Sequence, residues 1–569
     1  MKLIKAFILG LTFVLSTELV FAQNSTEIEE ITLPDVSTII SGGAPKVGKS
    51  AVPDYSKVLP ESNKNETVLP VLPDSVDVAS ENARNVSDEQ VSHKNIYAEG
   101  VAGAGYPGFF TGNFSLYRQS GKNPFKVNFS HESANGYSGR SLTSGYFDRN
   151  TLIYAEKTLS SEKMDLFLAG SYENKSNGLQ DKYEYITDVN KDKFYALVDW
   201  DIKFTKNAIL SLAMNGDWYK RYATTTGSFY YFDEKGNIVV PETAINVPDY
   251  YCNVGVIDLN PSLSFTLKNS KNLKFALFAE YQSEYDTKNS FYETRTINRG
   301  NFGIDLGWHN DIVNLYGIAS AVIGNEIGDN AVIVPFTVGT DFSFKNSLSS
   351  KNIMIRAKGG IESSLAKVEQ LEREYSFTAL EIMPDEVSNW YADFALTIPI
   401  KESFTFSLNG EFKDTAYGND TWQPCFEIDD EEVLPYYGQY TYYEDDTLQL
   451  NSDVALGFRF KALSFTAGWK AYWLDVPCTK TEQELRCVFS AQNSTARFGM
   501  NGVYRQGLAS SDDKCPIVDF SVFLRLTNAV RLVVSSNDVV KLISGTERTY
   551  AGKYIERSGS VAALVKFFF

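Results

Sequence analysis

The chain has 569 residues, 53 basic against 71 acidic, for a formal net charge of -18 and a pI near 4.8. So acidic a chain argues against a nucleic-acid partner, whose phosphates demand a basic patch. Aromatic residues make up 14% of it while the mean hydropathy stays slightly polar at -0.22, a balance that suits strands with lipid on one face and water on the other.

Residues 1–22 read as a cleaved secretory signal. Lys2 and Lys5 form the positive segment, Leu3 to Leu15 the apolar core, and Val20 and Ala22 suit cleavage before Gln23. Beyond it no stretch reaches the roughly 18 to 20 apolar residues that a membrane helix needs. Residues 23–94 carry Pro34, Pro45, Pro53, Pro60, Pro70 and Pro73 among Ser, Asn, Asp and Glu, with few aromatics. That composition predicts an extended or disordered periplasmic arm, or a short plug.

From Ile96 onward apolar and polar residues alternate with period two. Phe404, Phe406, Leu408, Gly410 and Phe412 share one face, with Glu411 and Lys413 on the other. Leu273, Phe275, Leu277, Ala279 and Tyr281 line up likewise against Glu280, as do Ala392, Phe394, Leu396, Ile398 and Ile400. Val454, Leu456, Phe458 and Phe460 oppose Arg459. Such charges are costly in lipid and cheap in a watery lumen.

The links alternate in length. Short polar ones fall at 160–162, 205–207, 268–271, 309–311, 401–402, 461–462 and 527–529, and long ones at 173–190, 220–251, 284–298, 362–386 and 415–445. Short periplasmic turns and long extracellular loops have this asymmetry. Residues 95–569 are therefore predicted to form an all-β fold, a transmembrane antiparallel β-barrel of about 22 strands, with 18 or 20 as alternatives because the strands near residues 95, 149 and 485 are weakly patterned. The last strand puts Val561, Ala563, Val565, Phe567 and Phe569 on one face. Val565, Phe567 and the terminal Phe569 form the kind of signal that barrel-assembly machinery reads, in a bacterial outer membrane whose lipid is the other expected partner.

Phe520 to Asn528 (FSVFLRLTN) followed by Lys553 to Phe569 (KYIERSGSVAALVKFFF) is similar to the last strands of TonB-dependent outer-membrane receptors. Ile96 to His131 looks like the first hairpins of such a barrel, and Glu30 to Gly42 (EITLPDVSTIISG) resembles an energy-coupling box or first plug strand. The resemblance implies solute transport, loops that capture a ligand, and a plug or a periplasmic energising partner. The chain departs from it in having only the short arm where the family carries a folded plug. A non-transporting adhesin or structural barrel is thus the alternative reading.

Candidate sites are few. His93, His131 and His309 do not converge on the expected topology, which argues against an enzyme and leaves no catalytic residues. Asp429, Asp430, Glu431 and Glu432, with Glu444, Asp445 and Asp446, form two acidic clusters in one long loop, a candidate Ca²⁺ site or a solvated surface. No other cofactor is expected. Of five cysteines, Cys478 and Cys487 are spaced to close an extracellular loop by a disulfide. The runs GSFYYFD (227–233) and YYGQYTYY (436–443) can stack on sugars or other ligands, or belong to aromatic girdles at the membrane interface.

Overall fold

The computed structural model describes residues 96–568, apart from 119–122, 183–185, 226–230, 233–237, 240–253, 270–271, 289–295, 326–331, 381–382, 427–438, 478–479, 493–496, 510–514, 546, 551–552 and 558. Its main sheet has 22 antiparallel strands, each paired with its neighbours in sequence. The first, Tyr97–Tyr106, also pairs with the last, Ser560–Phe568, in a register that joins Glu99 to Phe568 and Tyr106 to Val561. Closure leaves no free edge, the condition under which a sheet can span lipid. Among the described residues no helix is long and apolar enough to cross a membrane.

The weakly patterned segments are genuine strands, at Tyr97–Tyr106, Phe147–Ser160 and Gln483–Gln492. The long link expected at 173–190 is shorter, because strands Met164–Gly178 and Ile186–Thr205 run on past the membrane.

Alternation fixes the two faces. Leu273, Leu277, Tyr281, Phe302, Leu306 and Trp308 are exposed large apolar residues, as lipid-facing positions must be when the protein is viewed without its bilayer. Between them the wall turns charge inward. Lys274 Nζ pairs with Asp305 at 2.7 Å, Lys358 with Asp393 at 2.7 Å, Arg356 with Asp341 at 3.0 Å and Lys413 with Glu362 at 3.2 Å. In the last strand Ala562, Leu564 and Lys566 are buried, which places Val561, Ala563, Val565 and Phe567 on the outer face. Phe569 lies outside the described residues.

Strand height is uneven. Strands 164–178, 186–205, 208–225, 254–269 and 273–288 have 15 to 20 residues, whereas 498–507, 517–525, 530–537 and 560–568 have 8 to 10. In strand 186–205 the apolar outer face runs from Phe194 to Phe204 and gives way above to Asp192, Asn190 and Asp188. Lys191, Lys193 and their neighbours on the inner face therefore sit near the outer rim of the membrane, inside the mouth.

Candidate functional site: the extracellular mouth

Between strands Ile353–Leu365 and Glu386–Lys401 the chain folds into the mouth around helix α1, Val368–Glu374. Val368 and Leu371 fall on one side, and Glu369 and Arg373 pair at i, i+4 with 3.1 Å between Nη1 and Oε1. A helix this short is not stable alone, so tertiary contacts must hold it. Val368, Leu380 and Met383 are buried with Tyr219, Val254, Val256 and Ile297, which belong to strands several places away around the barrel. The loop thus reaches across to a different part of the wall.

Charge completes that contact. Glu372 is fully buried against Arg221, also accepts from Tyr219 Oη at 2.6 Å, and accepts from Leu380 N at 2.8 Å. Glu369 pairs with Lys193, and Arg373 with Glu173. Lys367 pairs with Asp258 and lies 3.9 Å from Asp217. Lys191 donates to the carbonyls of Glu372 and Thr378. Burial alone would push the Glu369 carboxyl up, but Lys193 and Arg373 outweigh it and hold it below the usual range. Burial likewise works against the Lys367 ammonium, yet Asp258 and Asp217 keep its affinity for the proton above the ordinary value.

A second contact is aromatic. Phe377 stacks on Tyr554 with centroids 3.9 Å apart and planes 3° apart. Phe426 meets Tyr440 edge-on at 4.8 Å and Tyr550 at 5.5 Å. These rings come from three different loops. Tyr440 N donates to Phe377 O and Ala379 N to Tyr440 O, both at 2.9 Å, which stitches two of the loops together. Phe377 holds φ at 58°, a left-handed conformation that costs an L-residue roughly 1–2 kcal/mol. Gln180, in a fourth loop, donates to Tyr137 Oη and Ile555 O at 2.9 Å and accepts from Ile555 N at 2.8 Å.

The residues singled out from sequence do not build this site. His131 stands in strand Phe125–Asn135 beside Thr151, 2.8 Å from its hydroxyl, and His309 ends strand Thr296–His309 at a short turn. His93, Cys478, Asp429, Asp430, Glu431 and Glu432 lie outside the described residues. Cys487 is a free thiol within strand Gln483–Gln492, opposite Ala467 and Tyr504. Glu444 and Asp445 belong to a small hairpin with Thr421–Pro424, and burial together with a hydrogen bond to Asp446 pushes Asp420 up. Among the described residues no three His, Cys, Asp or Glu side chains are grouped to hold a metal. Of the tyrosine-rich run, Tyr440 is wholly buried, and Tyr442 Oη donates to Leu371 O at 2.7 Å, so both pack the mouth. The run 227–233 is described only as Tyr231–Phe232, without its side chains.

No family profile and no curated protein sequence matches the chain. Solved structures do. A mutant of the ferric enterobactin receptor PfeA from Pseudomonas aeruginosa superposes with a TM-score of 0.60 at 8% identity, over 84% of this chain and 80% of that one. The FrpB iron transporter from Neisseria meningitidis gives 0.57 at 9% identity, over 84% and 82%. The copper transporter OprC gives 0.57 at 10%, over 83% and 80%. At such identities the likeness is one of fold. The chain therefore has the 22-stranded barrel of TonB-dependent outer-membrane receptors, the fold its terminal strands resemble, and its place is a bacterial outer membrane.

Proposed function

We propose that the protein is a loop-gated outer-membrane transporter, closed in this structure by the α1 loop and opened when that loop leaves the wall. The observation that carries this reading is the ionic seating of α1 on a part of the wall remote from its own strands. A purely structural contact gains little from buried charges, since well-packed apolar residues stabilise as well or better. A contact that must separate and re-form suits charge, because each side finds water or another ion when apart. The polar inner wall offers a path below the gate. A periplasmic energising partner, as the fold's other bearers suggest, belongs to the same reading.

The aromatic packing at the centre of the mouth favours a second reading, an adhesin or structural barrel sealed by its own loops. Single-channel conductance separates the two. The mature protein and a form lacking residues 23–94 are compared, each with and without K367M/E372Q. Transport requires that unlatching raises the open probability in at least one background. If all four forms insert as folded barrels and stay shut, the sealed reading replaces it.

A further inference from the structure

The wall beneath α1 has a charge pattern that the loop does not fully satisfy. Asp217 pairs directly across the sheet with Asp258, and Asp258 with Glu284, so three carboxylates stand in one row on three consecutive strands. Like charges directly opposite one another destabilise a sheet. All three are buried, at 6%, 3% and 1% exposure. Lys367 is the loop's cation in this row and Lys193 Nζ stands 3.3 Å from Asp217 Oδ1, yet Asp258 Oδ1 and Glu284 Oε1 accept no hydrogen bond. Buried oxygens left so are expensive, and they point to an occupant with more N–H donors than one ammonium.

Beside the row lies its opposite. Lys193, Arg221 and Tyr219 Oη present donors on the same wall, now filled by Glu369 and Glu372. The loop therefore occupies an anionic and a cationic subsite at once, with a basic and an acidic side chain five positions apart on the chain. Along a helix that is about 7.5 Å, which an extended chain spans in two residues at about 6.7 Å.

The geometry points to this patch as a ligand subsite for a short peptide or similar amphoteric solute. Its guanidinium or ammonium enters the Asp217, Asp258 and Glu284 row, its carboxylate meets Arg221 and Tyr219, and α1 is the tethered stand-in that the ligand displaces. This assignment rests on the gated-transporter reading and names the class of solute that opens the gate. A guanidinium brings five donors to the row where Lys367 brings three, so an arginine-bearing peptide satisfies oxygens that the closed loop leaves bare.

The test is calorimetric titration of the full-length protein in detergent with the blocked tripeptide acetyl-Arg-Gly-Glu-amide. K367M/E372Q weakens the stand-in, and the peptide is then expected to bind about tenfold more tightly than to the intact protein. Adding D258N/E284Q to that background removes about tenfold, as does replacing either charged residue of the peptide by Gln. Heat-modifiable gel mobility verifies that each variant is a folded barrel, and D258N/E284Q in the otherwise intact protein provides a second, milder comparison. The subsite is refuted if unlatching leaves affinity unchanged, or if neither the row substitutions nor loss of a peptide charge weakens binding. Conductance of the same proteins separates this proposal from the gate itself. Peptide binding to a barrel that stays shut in every form removes the transport reading and leaves the subsite, whereas opening on unlatching without peptide binding does the reverse.

Discussion

Where α1 meets the tall wall, the contact is a set of ion pairs around an apolar cluster that includes Val368 and Leu371; where Phe377 meets Tyr554 and Phe426 meets Tyr440, the side chains in contact are rings and no ion pair joins them. The α1 loop takes part in both, through Glu372 before Tyr375 and Phe377 after it. They differ in how they come apart. A stacked aromatic pair contributes about 0.5–1.5 kcal/mol beyond the area it buries, and neither salt nor pH alters it much. A buried ion pair contributes little over an apolar pair of the same shape, but losing one partner strands the other. On the gated reading, the ionic half is the one that a charged ligand exchanges, and the aromatic half keeps the loop near the mouth.

The sharpest break falls on the ionic side. Glu372→Ala leaves Arg221, Tyr219 Oη and Leu380 N without their shared acceptor, all of them buried. A loosening of about 3–5 kcal/mol is expected, read as faster hydrogen exchange across residues 366–380. Replacing both partners, as R221M/E372M, should recover the part that comes from the stranded guanidinium, while Tyr219 Oη and Leu380 N stay without their acceptor. If the double variant exchanges as fast as the single one, the pair is not a latch. Next comes Tyr554→Ala on the aromatic side, which removes a fully buried ring from Phe377 and Tyr440. A loss of about 3 kcal/mol is expected, with hydrogen exchange accelerated equally at low and high salt. A strong salt dependence there would erase the distinction between the halves.

How much of this was legible depends on sequence distance. Each strand announces itself locally, because residues two apart share a face: Leu273, Leu277 and Tyr281 turn outward as their alternation with Lys274 and Glu280 requires. The charges of the inner wall were visible as residues lipid would not take, and the long link at 362–386 was visible as a loop. The latch was not, since Arg221 and Glu372 are 151 positions apart and no period connects them. The available hint was the i, i+4 pair Glu369 and Arg373 beside Val368 and Leu371, a helical signal inside an otherwise β chain. Tyr440 and Tyr442 were seen as aromatic but not as inward, because only the partner loops decide which way a loop ring turns.

Titration sharpens the comparison further. Glu369 has a folded-state affinity for the proton below the ordinary value of 4.5, so its contribution is present above that pH and is lost as pH falls through the lower value. Lys367 has one above its ordinary 10.5, so its contribution is complete below that pH and is lost as pH rises through the higher value. Neither Glu369 nor Lys367 should therefore loosen the latch between 4.5 and 10.5; what these two groups contribute is lost only outside that interval, where open probability in bilayers should rise. Opening near neutrality would mean that neither group governs the loop.

The smallest effect belongs to the opposite end of the barrel. Glu402, in the short turn after strand Glu386–Lys401, accepts from Ser350 N at 2.5 Å, Ser350 Oγ at 3.0 Å and Ser349 Oγ at 3.2 Å, tying two periplasmic turns together. The hydrogen bond from the Ser350 backbone, with that from its hydroxyl, holds this fully exposed carboxyl below its usual range. The contribution is again present above 4.5 and lost on acidification. Water competes for every one of these bonds, unlike those around Glu372. Glu402→Gln should speed hydrogen exchange at Ser350 alone and leave residues 366–380 and the conductance as they were. A change at the mouth would show that the two ends of the barrel are coupled, and that the α1 latch is set from the periplasmic side as well as by its own charges.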